Sequence, residues 1–383
     1  MLRITRRDFL KYCSMAAGAL GLSASTLMRI ESVYAKEDNL PGGTVPDVIW
    51  ISGAACTGCT MSLLNTVFNT TIDDLLLNRI DLEYLDTAMA TAGAIVDGNT
   101  QYAGANALKA AQDVYNGGKP FVLCIEGAMQ TTAPVGGSAG DYCRIGSLTA
   151  PDGPETMLEN VQLFAANTNC AAILSVGTCS SFGGIPGARG NVTGAKGVGY
   201  SGTALGGAII GRTDMRKRTG LAAKLINISG CPPHPDWIVG TIAYILDTYI
   251  TLPSLNRDYQ PVDYGYGNYQ CNAGPCPWRF NNIEQRKQST SAGTETEPDY
   301  NGRYPQGNSR ALGKYKYEGH DLGCLGILGC KGRKTKADCS RRRWNADAAE
   351  NYGVNWCVGS RGGCHGCTSP AFPDKVGKFF TFA

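Results

Sequence analysis

Sixteen cysteines against three histidines, in a chain of 383 residues, constrain this sequence more than any other feature. A chain of that length buries a large core and falls naturally into two domains, so it needs no crosslinks to hold it together. Cys13 lies in a leader-like segment, and the remaining cysteines sit largely in glycine- and proline-rich stretches where apolar packing does not explain them. Three of them, Cys357, Cys364 and Cys367, crowd the segment NWCVGSRGGCHGC. The fold must gather such segments into crosslinks or around shared ligands.

The first 35 residues read as a removable signal. Arg6 and Arg7 precede Phe9 and Leu10, a small and apolar run follows from Ala16 to Ile30, and Val33-Tyr34-Ala35 offers a small-residue cleavage end. This is similar to a twin-arginine export signal, which carries proteins already folded around their cofactors, and it points to the periplasm or the outer face of the cytoplasmic membrane. Without residues 1–35 the 35 basic and 32 acidic side chains become 30 and 30, because five basic and two acidic ones go with the leader. That balance gives no electrostatic case for nucleic acid. No apolar run of membrane-spanning length follows the leader, so the mature chain is expected to reach a membrane only through a partner.

From residue 36 to about 255 strand and helix patterns alternate. DVIWIS, IDLEYL, PFVLCIEG, AAILSV and LAAKLINISG read as strands; MSLLNTVF, ANALKAAQDVY, ETMLENVQLFAANT and DWIVGTIAYILDTYI read as helices. The spacing is that of crossover units, which implies an α/β fold with a mostly parallel sheet covered on both faces. Cys56 and Cys59 follow the first of these strands, Cys179 the fourth and Cys231 the fifth, while Glu126 ends the third. All lie just past carboxyl ends of strands, where open α/β sheets place their ligands.

Residues 256–383 lack that aliphatic rhythm. Tyrosine, glycine, arginine and asparagine dominate, residues 281–310 form a polar stretch, and eight cysteines stand among them: Cys271, Cys276, Cys324, Cys330, Cys339, Cys357, Cys364 and Cys367. A second, irregular domain with little apolar core needs another organiser. Disulfides are permitted outside the cytoplasm, and structural zinc would use tetrahedral sets of four ligands. A static crosslink between residues as near as Cys364 and Cys367 is strained, and zinc gives no reason to string sites through 300 residues. Iron–sulfur clusters supply that reason, because thiolates anchor iron and a series of clusters carries electrons.

The motifs WISGAACTGCT, SVGTCSSFGGIPGA, SGCPPHP, LGCKG and CHGCTSPAFPD, in this order and behind the twin-arginine leader, resemble the small subunit of nickel–iron hydrogenases. The resemblance implies a flavodoxin-like N-terminal domain, an irregular cluster-binding C-terminal domain and three iron–sulfur clusters. It also implies a separate large subunit holding the nickel–iron centre where hydrogen is split, so this chain would carry no catalytic residue of its own. An external electron carrier, such as a c-type cytochrome, is implied as well. Cys56, Cys59, Cys179 and Cys231 match the proximal cluster and Glu126 a glutamate beside it. Gly58 and Gly187 stand where oxygen-tolerant relatives carry two further cysteines. Cys276, Cys324 and Cys330 match the distal cluster, but Ala273 replaces the family histidine; Cys271 is the expected fourth ligand, with His320 its rival. Cys339, Cys364 and Cys367 match the medial cluster, which in those relatives usually has three irons. Here Cys357 stands where a proline commonly follows the tryptophan of the motif, in register with Cys364, so a medial [4Fe–4S] cluster is expected and all three clusters would be cubanes.

Cys124 and Cys170 fall in strands and read as small buried hydrophobes; Cys143 takes no role. His234, flanked by prolines, reads as structural, and His365 as a group near the medial ligands. GGIPGARG reads as a tight loop and not a phosphate cradle. The segment KGRKTKADCSRRRW, with seven lysines and arginines, reads either as a solvated face or as a docking surface for a partner.

Overall fold

The computed structural model describes residues 47–66, 71–76, 80–87, 106–247, 252–264, 266–267, 269–270, 316–317, 320–321, 330–347, 352–360 and 362–376. The leader, Cys271, Ala273, Cys276 and Cys324 lie outside the described residues.

Strand β1 (Asp47–Ser52) is buried along its whole length. Its side chains alternate between two cores: Val48 and Trp50 face one, Ile49 and Ile51 the other, the period of two that a strand imposes. Helix α1 (Gly58–Leu64) follows at once. Strand β2 (Asp81–Leu85) comes next, then helix α2 (Ala107–Asn116), strand β3 (Phe121–Glu126), helix α3 (Met157–Ala166) and strand β4 (Cys170–Val176). Helices α2 and α3 start where a side chain can satisfy a free backbone N–H: Asn106 accepts from Leu108 N at 3.0 Å and Thr156 from Glu159 N at 3.2 Å. Helix α4 (Thr178–Phe182), the ribbon β5 (Tyr200–Ser201) with β6 (Ala204–Leu205), and helix α5 (Arg212–Lys217) intervene before strand β7 (Leu225–Ile228) and helix α6 (Pro235–Asp247).

The five long strands pair in the order β2-β1-β3-β4-β7, all parallel. Counting only these strands the order is 2-1-3-4-5, the flavodoxin-like arrangement, whose topological switch point lies between β1 and β3. The expected strand over residues 221–230 is shorter than its pattern suggested. A 3₁₀ turn takes Gly220–Lys224, and the edge strand begins only where Leu225 can pair with Ile173 of β4.

Two apolar cores sandwich the sheet. One holds α2 and α3 through Ala111, Val161 and Phe164. The other joins Trp50, Cys124 and Leu174 of the sheet to Trp237, Ile238 and Ile242 of α6, and continues into Tyr266, Ala337, Cys339, Trp356, Val358 and Cys364. The C-terminal segment thus packs on the α6 face of the sheet. It contributes helix α7 (Cys339–Arg342) and the two-stranded ribbons β8 (Lys316–Tyr317) with β9 (His320–Asp321) and β10 (Trp344–Asp347) with β11 (Tyr352–Asn355). Polar contacts fasten it there. Arg342 bridges Asp236 at 3.0 Å and Asp338 at 2.8 Å, Trp237 Nε1 donates to Asp338 at 2.9 Å, and His234 Nε2 donates to the Arg343 carbonyl at 2.5 Å. The His234 tautomer follows, because its Nδ1 accepts from the Asp236 amide at 3.1 Å. Among the described residues no helix is long and apolar enough to cross a membrane.

Candidate metal centres

The first centre forms at the switch point. Cys56 lies in the turn after β1, Cys59 in the first turn of α1, Cys179 in α4 directly after β4, and Cys231 just past β7. Parallel strands all deliver their ends to one rim, so residues 175 positions apart in sequence meet there. The four thiols interact electrostatically in every pairwise combination. Their approach depends on glycine: Gly177 takes φ +90°, and a β-carbon at that position would collide with Cys59 Sγ. Ser62 of α1 donates to the Pro233 carbonyl at 2.6 Å, which ties the Cys59 helix to the Cys231 loop.

Burial pushes the Cys59 thiol well above the ordinary thiol range, with the Glu126 charge second and the other three thiols adding to it. Cys179 is pushed up to about 12, again by burial first and by Cys231 next. Cys59, Cys179 and Cys231, gathered in this way beside a carboxylate, resist ionisation, and bound metal cations reverse that logic because a coordinating thiol is deprotonated outright. The donor set therefore suits a cationic thiolate-bound group.

Glu126, 1% exposed, is held at the floor of this centre. Its Oε2 accepts from Trp50 Nε1 at 3.2 Å, Thr60 N at 3.0 Å and Thr60 Oγ1 at 2.5 Å; its Oε1 accepts from Cys59 N at 3.0 Å. The carboxylate thus grips the first turn of the helix that carries Cys59.

The second centre lies in the C-terminal segment. Cys339 opens α7, while Cys357, Cys364 and Cys367 follow β11. These four thiols likewise interact in all pairwise combinations. All four line one cavity of about 340 Å³, together with Cys231 and Pro232 of the first centre. Burial raises every one of these thiols, Cys367 to about 12. A cavity faced by four thiols fits a cubane as well as the first centre does.

Cys330 lies against this second group: the Cys364 amide donates to its Sγ at 3.1 Å, and it interacts with Cys357 and Cys364. Its expected distal companions Cys271, Cys276 and Cys324 are outside the described residues. The backbone of His320 lies in β9. Among the described residues no two cysteines form a disulfide, and Cys124 and Cys170 are fully buried in the two cores, as small hydrophobes would be. Cys143 is half-buried and feels the Asp86 charge. The basic segment turns much of its charge inward: Arg342 is paired, Arg343 sits 5.0 Å over the Trp356 ring, and Lys331 is buried beside Cys330 and Cys364.

Residues 56–245 match the family model of the NADH ubiquinone oxidoreductase 20 kDa subunit, and residues 303–380 match the model of the C-terminal part of the NiFe/NiFeSe hydrogenase small subunit. Across 387 aligned residues the chain is 34% identical to the periplasmic [NiFeSe] hydrogenase small subunit of Desulfomicrobium baculatum, covering 99% of both chains. The chain belongs to the hydrogenase small subunits. A solved structure of the Desulfomicrobium baculatum [NiFeSe] hydrogenase matches with a TM-score of 0.60 at 33% identity, over 89% of this chain and all of that one. The periplasmic [NiFe] hydrogenase small subunit 1 of Nitratidesulfovibrio vulgaris is 28% identical over 98% of this chain and 93% of its own. As a hydrogenase small subunit the chain transfers electrons within an oxidoreductase whose large subunit is its partner, and iron–sulfur clusters are the cofactors of that family.

Proposed function

We propose that this hydrogenase small subunit holds three [4Fe–4S] clusters in series: proximal on Cys56, Cys59, Cys179 and Cys231, medial on Cys339, Cys357, Cys364 and Cys367, and distal on Cys271, Cys276, Cys324 and Cys330. When bound, such clusters accept and release single electrons, and the chain's own residues set their order. The observation that carries the reading is Cys231, which belongs to the first group of four thiols and also lines the cavity of the second. Two metal centres that share a wall are arranged for electron passage.

The large subunit, with the nickel centre that interconverts hydrogen with two protons and two electrons, covers the proximal rim. Cys56 and Cys231 are exposed there. The loops after β1, β3 and β4 are bridged into one platform through Ala54 with Ala128 and Met129 with Lys196, and they and α1 present Met61, Leu64, Val135, Ile185 and Val192 to solvent. Exposed aliphatics around a metal rim mark a surface built to be covered. At the other end an external carrier, a c-type cytochrome, exchanges electrons with the distal site. Export follows the twin-arginine route and brings the large subunit along, so the complex works in the periplasm or at the outer face of the cytoplasmic membrane. Several relatives are named periplasmic.

Iron and acid-labile sulfide measured in the purified heterodimer test this reading. About twelve iron atoms for this chain, beyond those of the large subunit, are expected for three cubanes; a chain with zinc or no metal in their place refutes it.

A further inference from the structure

Gln270 lines the cavity faced by Cys339, Cys357, Cys364 and Cys367, and it is only 4% exposed. The Cys364 thiol donates to its side-chain Oε1 at 2.8 Å. A closed circuit of hydrogen bonds holds the two residues together: the Gln270 backbone amide donates to the Thr335 carbonyl at 2.8 Å, Thr335 Oγ1 to the Lys331 carbonyl at 2.9 Å, and the Lys331 backbone amide to the Cys364 carbonyl at 2.8 Å. Ser340 Oγ, next in sequence to Cys339, donates to the Gln270 carbonyl at 3.0 Å. Lys331, Thr335, Ser340 and Cys364 are themselves buried. Neither ligand set requires this side chain.

Burying an amide here costs desolvation that an apolar side chain avoids, and the contact with Cys364 is what offsets that cost. The contact cannot survive ligation as it stands, because a coordinating thiol is deprotonated outright and has no proton to give. Left against Oε1, the thiolate would meet a second electron-rich atom at hydrogen-bond distance. A glutamine amide carries both an acceptor and a donor, and half a turn about its terminal torsion, which has a broad and roughly two-fold profile, exchanges them at one place. Among the described residues the Gln270 side chain has no other hydrogen bond to lose in that turn. The backbone circuit meanwhile keeps it on Cys364.

We propose that Gln270 is a positioning residue for electron transfer through the medial centre: with the cluster bound, its Nε2 donates to Cys364 Sγ and raises the medial potential. Net charge and hydrogen bonds to the sulfurs both set the potential of such a cluster. Cys357 supplies a fourth thiolate, whose charge disfavours reduction. An N–H donated to a thiolate favours the reduced, more negative state and offsets part of that effect. Reduction of the medial centre takes one electron from the proximal centre, which is oxidised by one equivalent, and no bond forms or breaks. The inference rests on the proposed medial cluster.

The test uses purified heterodimer carrying the wild-type chain, Gln270→Leu or Gln270→Glu, each assayed for iron content and redox-titrated with electron paramagnetic resonance as the readout. Gln270→Leu keeps the bulk and removes the donor. At full iron it should shift the medial oxidised-to-reduced ratio at fixed potential by about three- to tenfold toward the oxidised form, a fall of roughly 30–60 mV for a one-electron couple. Gln270→Glu removes the donor and adds a negative charge, so its medial midpoint should fall further. A fully loaded leucine variant with the wild-type medial midpoint overturns the proposal, as does a loaded glutamate variant whose midpoint does not fall. If neither variant loads the centre, wild-type protein carrying heavy nitrogen in its glutamine side-chain amides is read by pulsed electron paramagnetic resonance. Among the described residues Gln270 is the glutamine of that cavity; a nitrogen coupling to the reduced medial centre is expected, and its absence overturns the proposal. A wild-type heterodimer with a three-iron signal, or with too little iron for three cubanes, refutes the cluster assignment itself and is told apart without any variant.

Discussion

Replacing Glu126 by glutamine removes one buried negative charge beside Cys59, a proposed proximal ligand, while nearly preserving shape. The carboxylate Oε1 is 3.0 Å from the Cys59 amide, and Sγ lies a few bonds beyond that nitrogen. A charge-to-thiolate separation of about 6 Å at an effective dielectric of about 20 gives an interaction of roughly 3 kcal/mol. With about 1.4 kcal/mol, or 59 mV, per tenfold in a one-electron couple, and part of the charge spread over a cluster further away, the proximal midpoint should rise by roughly 60–120 mV. The sign follows because the reduced centre carries one more negative charge and gains more from losing a neighbouring one. The assay is a redox titration of the heterodimer followed by electron paramagnetic resonance, with iron content as the control for occupancy. Structural loss will accompany the gain: an amide cannot accept at both positions, so one of the four donors to Glu126 loses its partner, at a cost of about 1–3 kcal/mol. A fully loaded variant whose proximal midpoint stays within about 20 mV of wild type, or falls, refutes the argument that Glu126 acts on this centre through its charge.

Cys357→Pro should convert the medial centre from four irons to three, seen as the appearance of a three-iron signal in the oxidised protein and the loss of about one iron per chain; a three-iron signal already present in the wild type refutes Cys357 as a ligand. Cys271→Ala should remove or convert the distal cluster while His320→Ala leaves it intact, and the opposite pattern in the two spectra would assign the fourth distal ligand to His320. Replacing both Arg6 and Arg7 by lysine should hold the assembled complex in the cytoplasm, measured by fractionation and hydrogenase activity; normal periplasmic activity in the double variant rules out the twin-arginine route.

The strand and helix pattern, and with it the parallel α/β sheet, was legible in the sequence because β1, β3 and β4 are buried on both faces and so read as near-continuous apolar runs. The four cysteines and Glu126 at strand ends were legible for the same reason: parallel strands send their carboxyl ends to one rim, so position along the chain predicts position in space. Short elements were not. Helix α4 and the ribbon of β5 and β6 are too brief for a periodic signal, and the strand read over residues 221–230 shrank to Leu225–Ile228 because an edge strand extends only as far as its single neighbour pairs with it. Cys339, Cys357, Cys364 and Cys367, the proposed medial ligands, carried a spacing in the sequence, but their gathering around one cavity with Cys231 is a matter of packing between the C-terminal segment and α6. Thr178 shows the difference most plainly. In sequence it is one threonine before a cysteine; its hydroxyl finds its acceptor, the Cys367 carbonyl, only because a loop 189 positions later is folded against it. Local chemistry chose which residue types could bind metal and which segments would be strands, since propensity and burial period act within a few residues. Which cysteine groups lie side by side was decided by tertiary packing, because contacts between distant loops have no period to write into a sequence.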